Sequence, residues 1–310
     1  MNDLRMLKEE ISMAGYLSGL FPRLSKIPIP VSRDQLFLIM VAVNEIFLGI
    51  DIYLAHMVSG TIVPREWIPI IFGPLAGIIL IITGWLVKKK RLMAIWIANA
   101  IFVISIMVGL LGTYFHFIRA ILPTGPVGEK INLDMLIWAP PVIGPLVFSL
   151  IGLIGITAIW PEEPHGSGRL ILFNDRAVQF PLNKTRAFFL MVSLGTLATL
   201  ISSVLDHART GFRNPWLWVP LVAGVLGVIA PLLLALINQP GRGDLLIYFL
   251  IMGLLILAGV VGAGLHILDN LTSQNEFVAE RFIRGAPFLA PLLFSNMGAL
   301  GIINLFNSRE

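Results

Sequence analysis

The sequence predicts an all-α polytopic membrane bundle of about eight transmembrane helices, arranged as two tandem four-helix repeats of hairpins. Three observations carry that prediction. The chain is 56% hydrophobic and 13% charged with a mean hydropathy of +0.86, far from the composition of water-soluble domains. Its apolar runs are long enough to cross a hydrocarbon core of about 30 Å. The motifs that close these runs recur in the second half of the chain.

Residues 1–34 come first, with Leu4, Leu7, Ile11, Ala14 and Leu17 on one helical face and Arg5, Lys8, Glu9 and Glu10 elsewhere. This spacing predicts an amphipathic segment on the inner membrane surface, with no cleavable signal. Eight spans follow at 36–56, 67–87, 93–116, 137–159, 187–207, 217–237, 244–266 and 286–306. The first four form a repeat over 35–160 and the last four a repeat over 187–310, joined by a polar linker at 161–186. That linker holds His165 and a short apolar stretch, Leu170–Phe173. Fifteen of the 22 lysines and arginines fall on the segments that share a side with the N-terminus. The positive-inside rule therefore puts both termini in the cytoplasm, as in a bacterial or archaeal cytoplasmic membrane. The same asymmetry explains a pI near 9.6 without any nucleic-acid partner. With no cysteine in the chain, disulfides, thiolate metal sites and covalently attached haem are excluded.

Only five histidines occur, and four of them occupy equivalent positions. His56, His116, His207 and His266 close spans 1, 3, 5 and 7 on the outer side. Trp67-Ile-Pro69 lies 13 residues beyond His56, measured to the proline, and Trp218-Val-Pro220 lies 13 beyond His207. In the other hairpin of each half, Gly109-Leu-Leu-Gly112-Thr-Tyr-Phe-His116 matches Gly259-Val-Val-Gly262-Ala-Gly-Leu-His266. After them, Ala139-Pro140 with Gly144-Pro145 matches Ala286-Pro287 with Ala290-Pro291. Imidazole is costly near lipid without a partner, so four in register point to a shared use.

Glycines four and seven residues before His116 and His266 share the histidine's helix face. They would open either a flat slot for a planar macrocycle or a notch for a neighbouring helix. Arg119, Arg209, Arg213 and Arg284 lie near the outer ends, where guanidinium forks would hold the propionates of a haem or anchor helix ends. The expected cofactor is b-type haem; (bacterio)chlorophyll, or a copper, zinc or iron site with Asp51, Asp206 or Asp269 nearby, are the alternatives, as is none. Two-fold symmetry pairs His56 with His207 and His116 with His266, and pairing within each half is equally permitted. Glu45 and Asp51 lie inside span 1, where an ionisable residue is expensive; they could form a proton relay, or Glu45 could be protonated and paired with a neighbouring helix. Tyr53 and Tyr114 are further candidates near a quinone.

The plan of eight spans, two halves and four regular histidines is similar in layout to haem A synthases. That family's cysteine pair has no counterpart here, and Ile52 rather than an acid stands one turn before His56. No activity is carried over from the resemblance. Three functions are expected from the residues: an electron-transfer subunit holding haem near the outer face, linked to quinol and to other membrane or periplasmic redox subunits; a histidine-based metal handling or transport protein; or a non-catalytic scaffold of a larger complex whose histidines bond helix-end carbonyls.

Overall fold

A computed structural model describes residues 16–23, 31–57, 60, 62–87, 89–121, 141–172, 176–272 and 278–306. The chain is an integral membrane protein built of helices, with six long and apolar enough to cross a membrane. In chain order the elements are α1 (Tyr16–Leu20), α2 (Arg33–Met57), α3 (Trp67–Leu86), α4 (Arg91–Ile121), α5 (Leu146–Ile159), the strands β1 (Arg169–Ile171) and β2 (Ala177–Gln179), α6 (Lys184–Ala208), α7 (Trp218–Leu236), α8 (Arg242–Thr272), α9 (Ala279–Arg284) and α10 (Leu292–Ile303).

The six long helices fall on the six expected spans that lack an early cluster of prolines. The other two differ. α5 and α10 have 14 and 12 residues, about 21 and 18 Å long, short of the hydrocarbon thickness. Each starts after a proline turn, Pro141 to Pro145 and Pro287 to Pro291, because a proline nitrogen cannot extend a helix backwards. Residues 122–140 lie outside the described residues.

The helices form two rings of four. In one, neighbours run α2–α3–α4–α5 and back to α2; in the other, α6–α7–α8–α10 and back to α6. The rings meet through α5 with α6 and α2 with α10, so α2, α5, α6 and α10 make the centre. In this arrangement α2 faces α4 across one ring, and α6 faces α8 across the other.

Glycine sets the closest approaches. A Cβ on Gly109 would sit 2.3 Å from Ser149 Oγ and 2.9 Å from the Pro145 carbonyl oxygen, and one on Gly112 2.8 Å from Pro145 Cβ. The matching contacts in the second ring are Gly259 with Ser295 Oγ at 2.3 Å and Gly262 with Pro291 Cβ at 3.0 Å. The serine hydroxyls donate across these contacts to the carbonyls of Ile106 and Ile256, at 2.9 and 2.8 Å. These four glycines are therefore filled by α5 and α10. They are notches for a neighbouring helix, and no flat slot opens at them.

At the end opposite the histidines, a charged cluster binds α2 to α6. Arg33 donates to Thr185 Oγ1 at 2.6 Å and to Asp34 at 3.1 Å, while Lys184 pairs with Asp34 and donates to the carbonyl of Trp160 at 2.9 Å. Both cations are buried. One turn deeper, Phe37 and Phe188 stack with centroids 3.9 Å apart, and the Arg33 guanidinium lies over Phe188. The segment between the rings is a small β-hairpin whose buried Glu162 accepts the backbone N–H groups of Gly166, Gly168 and Lys184. His165 is exposed there. Of the N-terminal segment, residues 16–20 dock on the bundle: Leu17 N–H donates to Leu305 O, Tyr16 stacks on Phe189, and burial raises the Tyr16 hydroxyl above its usual pKa. Residues 1–15 lie outside the described residues.

A Cβ at Gly109 meets backbone on α5, which cannot yield, so Gly109→Val should cost about 2–3 kcal/mol of stability. Gly253 has nothing within 4 Å of its Cβ position, and Gly253→Ala should be neutral or slightly stabilising. Thermal unfolding of the two variants in one detergent checks the contrast, and equal melting would refute the notch reading.

Candidate functional site

The four histidines meet as two pairs at one end of the bundle. His56 on α2 and His116 on α4 have ring centroids 6.1 Å apart; His207 on α6 and His266 on α8 are 6.5 Å apart. Each pair spans the diagonal of one ring. Pairing within each half is thus what the fold produces, and the two-fold partners His56 with His207 and His116 with His266 are not the ring pairs. All four rings are half-buried.

Their outer nitrogens are held by the protein. His116 Nδ1 is 2.9 Å from the Pro141 carbonyl oxygen, and His266 Nδ1 is 3.0 Å from that of Pro287. His56 Nδ1 is 2.9 Å from the carbonyl of Ile52. A carbonyl only accepts, so in these three rings Nδ1 carries the proton and donates, and in the neutral ring Nε2 carries the lone pair. His207 Nδ1 lies 3.2 Å from Ser203 Oγ, which can give or take.

The carbonyls are available for a reason written in the sequence. In a regular helix the Pro141 and Pro287 oxygens would accept from residues 145 and 291, but both are prolines and have no N–H. A tighter contact from Gly144 N at 3.3 Å and from Ala290 N at 3.2 Å takes one lone pair. The imidazole N–H takes the other.

Around the first pair, Glu66 Oε1 lies 4.0 Å from His56 Nε2, while its other oxygen accepts the Val63 N–H at 3.0 Å. Arg65 covers Phe115 at 5.2 Å. At the position of Glu66, ten residues beyond the histidine, the second half has Leu217, and the acid beside the second pair is Asp206. There, Asp206 pairs with Arg209 at 3.7 Å. Arg284 pairs with Glu280 at 3.0 Å, and Arg213 is exposed. The side chain of Arg119 lies outside the described residues. Arg281 Nη1 is buried with no hydrogen-bond partner among the described residues. No group of three or more histidine, aspartate and glutamate side chains is poised for a metal among the described residues.

Glu45 is completely buried and faces Ser105 of α4, not the histidines. The serine hydroxyl lies 2.6 Å from Glu45 Oε1 and 2.9 Å from the Phe148 carbonyl oxygen. One hydroxyl has one proton. The hydroxyl can share its proton between the two acceptors, or a protonated Glu45 can donate to Ser105 while Ser105 donates to Phe148 O. Either way Glu45 is paired across the ring with Ser105, and its Oε2 is buried without a hydrogen-bond partner among the described residues. Asp51 points elsewhere, into the seam between α2 and α10. Ser105 was legible in principle, since it precedes His116 by the 11 residues that separate Glu45 from His56.

Compared with known proteins, the chain matches no family model, no curated protein and no solved structure.

With a protonated Glu45 donating to Ser105, Glu45→Gln should stay within about 1 kcal/mol of the parent, its amide donating to Ser105. Ser105→Ala strips the acceptor from a buried acid and should cost about 1–3 kcal/mol. Infrared spectroscopy should show a protonated-carboxyl band that Glu45→Gln removes. A parent spectrum without that band would mean the carboxylate is ionised.

Proposed function

We propose that this chain is a membrane electron-transfer subunit that holds b-type haem between its paired histidines. The paired histidine geometry carries the reading. A metal–imidazole bond of about 2.0–2.1 Å places two rings on opposite sides of one metal with centroids about 6 Å apart, and at a tetrahedral angle about 5 Å apart. The observed 6.1 and 6.5 Å fit the opposed arrangement. Hydrogen bonds from Nδ1 to fixed carbonyls are the usual support for a ligating histidine, since they lock the ring and direct Nε2 to the metal. A closed zinc or copper site would need further ligands. Two axial imidazoles suffice for a macrocycle that brings its own four nitrogens.

In this reading His56 and His116 hold one haem, and His207 and His266 a second. Bound haem supplies a one-electron couple that cycles between ferric and ferrous iron. The protein would supply the rest: His56 with His116 and His207 with His266 would hold the group through Nε2, and Arg209 with the outer-face arginines would stand near the aqueous edge. The chain forms two tandem four-helix units, with α5 and α10 plus their proline turns as the fourth crossing of each. Both termini lie in the cytoplasm, and the histidine end faces outward, where periplasmic or membrane redox partners would take the electrons.

The same hydrogen bonds favour a second reading. Histidines that satisfy orphaned carbonyls can simply staple helix ends, and the chain is then a non-catalytic scaffold in a larger complex.

A reduced-minus-oxidised visible spectrum of the detergent-purified protein, with iron analysis, separates the two. The electron-transfer reading expects a sharp α-band and up to two irons per chain. His116→Ala and His266→Ala should each remove one component while the protein still folds. A featureless, iron-free spectrum from protein expressed with ample haem would sink this reading and leave the scaffold.

A further inference from the structure

The seam between α2 and α10 has a feature the electron-transfer site does not use. Asn44 and Asn296 meet there across the junction of the two rings, Asn44 Nδ2 donating to Asn296 Oδ1 at 3.1 Å. The Asn296 amide nitrogen is buried and has no hydrogen-bond partner among the described residues. Above the pair is a cavity of about 170 Å³ lined by Val43, Phe47, Asp51, Leu289 and Leu293 among others. Asp51 has no hydrogen-bond or ion-pair partner among the described residues. Val43 and Phe47 are 39% and 47% exposed, on the surface that meets lipid, so the cavity opens sideways into hydrocarbon.

We propose that this seam binds the ring of a lipid-soluble quinone. Asn44 lies near the middle of α2, so its amide sits deep in the membrane, far below phospholipid headgroups. Acyl chains offer nothing to an amide at that depth, and an unmade hydrogen bond there is costly. The occupant must be apolar overall, arrive through lipid, and carry hydrogen-bonding atoms on a compact body. A cavity of about 150 Å³ accepts a six-membered ring, so 170 Å³ takes one with small substituents.

The polar groups are spaced for such a ring. Asn44 and Asp51 are seven residues apart, on nearly the same face and about 10 Å apart along the axis. The Asn296 amide lies beside Asn44, so a ring seated between it and Asp51 can meet a hydrogen bond of about 2.9 Å at each end. The Asn296 N–H would donate to one oxygen, and the Asp51 carboxyl would bond the other, donating to a quinone or accepting from a quinol. Counted from His56 and His207, Asn44 corresponds to Gly195; counted from Pro291 and Pro145, Asn296 corresponds to Leu150. A Cβ on Gly195 would meet Leu150 at 2.6 Å, so the opposite seam is shut. One site per chain is expected.

The proposal extends the electron-transfer reading by naming its lipid-side reactant, and its test is binding, which needs no haem. Protein in phospholipid nanodiscs is titrated with decyl-benzoquinone, then crosslinked with an azido-benzoquinone and mapped by mass spectrometry. Labels should fall on residues 40–51 or 289–296. Asn296→Leu and the cavity-filling Leu293→Trp should each weaken binding at least tenfold, while Gly253→Ala leaves it unchanged. Labels elsewhere, equal binding by both seam variants, or a seam holding phospholipid that quinone does not displace would overturn it. Quinone binding by iron-free protein would support the seam and defeat the haem reading; haem spectra without quinone binding would defeat the seam alone.

Discussion

A proline without an N–H and an imidazole with one form the interaction on which the histidine end depends. The oxygens of Pro141 and Pro287 lose their usual helical donor because residues 145 and 291 are prolines, and beside the Gly144 and Ala290 N–H groups each keeps one lone pair for a further donor. His116 and His266 supply it from a facing helix. That contact forms only because Gly109, Gly112, Gly259 and Gly262 let the short helices come within backbone distance. Glycine notch, proline turn and histidine thus act as one unit. The unit breaks the fourth helix, closes the hairpin and fixes which ring nitrogen keeps its lone pair.

The opposite end is held by charge. Arg33, Asp34 and Lys184 sit where α2 meets α6, both cations buried, with Trp160 and Ala158 carbonyls taking the remaining ammonium protons. Buried ion pairs of this kind add little net stability against a well-packed apolar contact, but removing one partner leaves an uncompensated charge. Their contribution is to registration. Asp34 can reach Lys184, and Phe37 can stack on Phe188, at only one axial offset of the two helices. The offset set here determines where the four rings stand some 30 Å away, roughly a membrane thickness along 20-odd residues of helix.

The long helices were legible because length and apolarity decide them, and six of the eight expected spans are helices of 19–31 residues. The short pair was not, since composition over 137–159 and 286–306 is as apolar as elsewhere and only the prolines mark where helix begins. Spacing puts the glycines on the histidine face, yet spacing alone does not say whether a notch receives a helix or a ligand. Histidine pairing was open for a similar reason: both pairings keep the same sequence offsets, and only the packing order around each ring selects His56 with His116. Glu66, Ser105 and Asn296 became visible only once helices distant in sequence were placed side by side.

The two rings share a frame and differ in what fills it. At the position of Glu45 the second ring has Thr196, bonded to its own helix through Val192 O, and opposite Ser105 it has buried Leu255. Glu66 is answered by Leu217, and the Asn44–Asn296 seam by Gly195 against Leu150. Each of these differences puts the polar member on the side of α2. Stability does not ask for that, because the second ring meets the same frame with Leu255, Leu217, Gly195, Leu150 and a Thr196 hydroxyl satisfied within its own helix, whereas a buried acid or amide with an unmade hydrogen bond costs free energy. Polar groups kept at a cost in one ring and absent from its twin mark where the chain does something beyond folding. That place is around α2, with a buried acid on its inner face, an amide pair shared with α10 at its lipid-side seam and a histidine at its end.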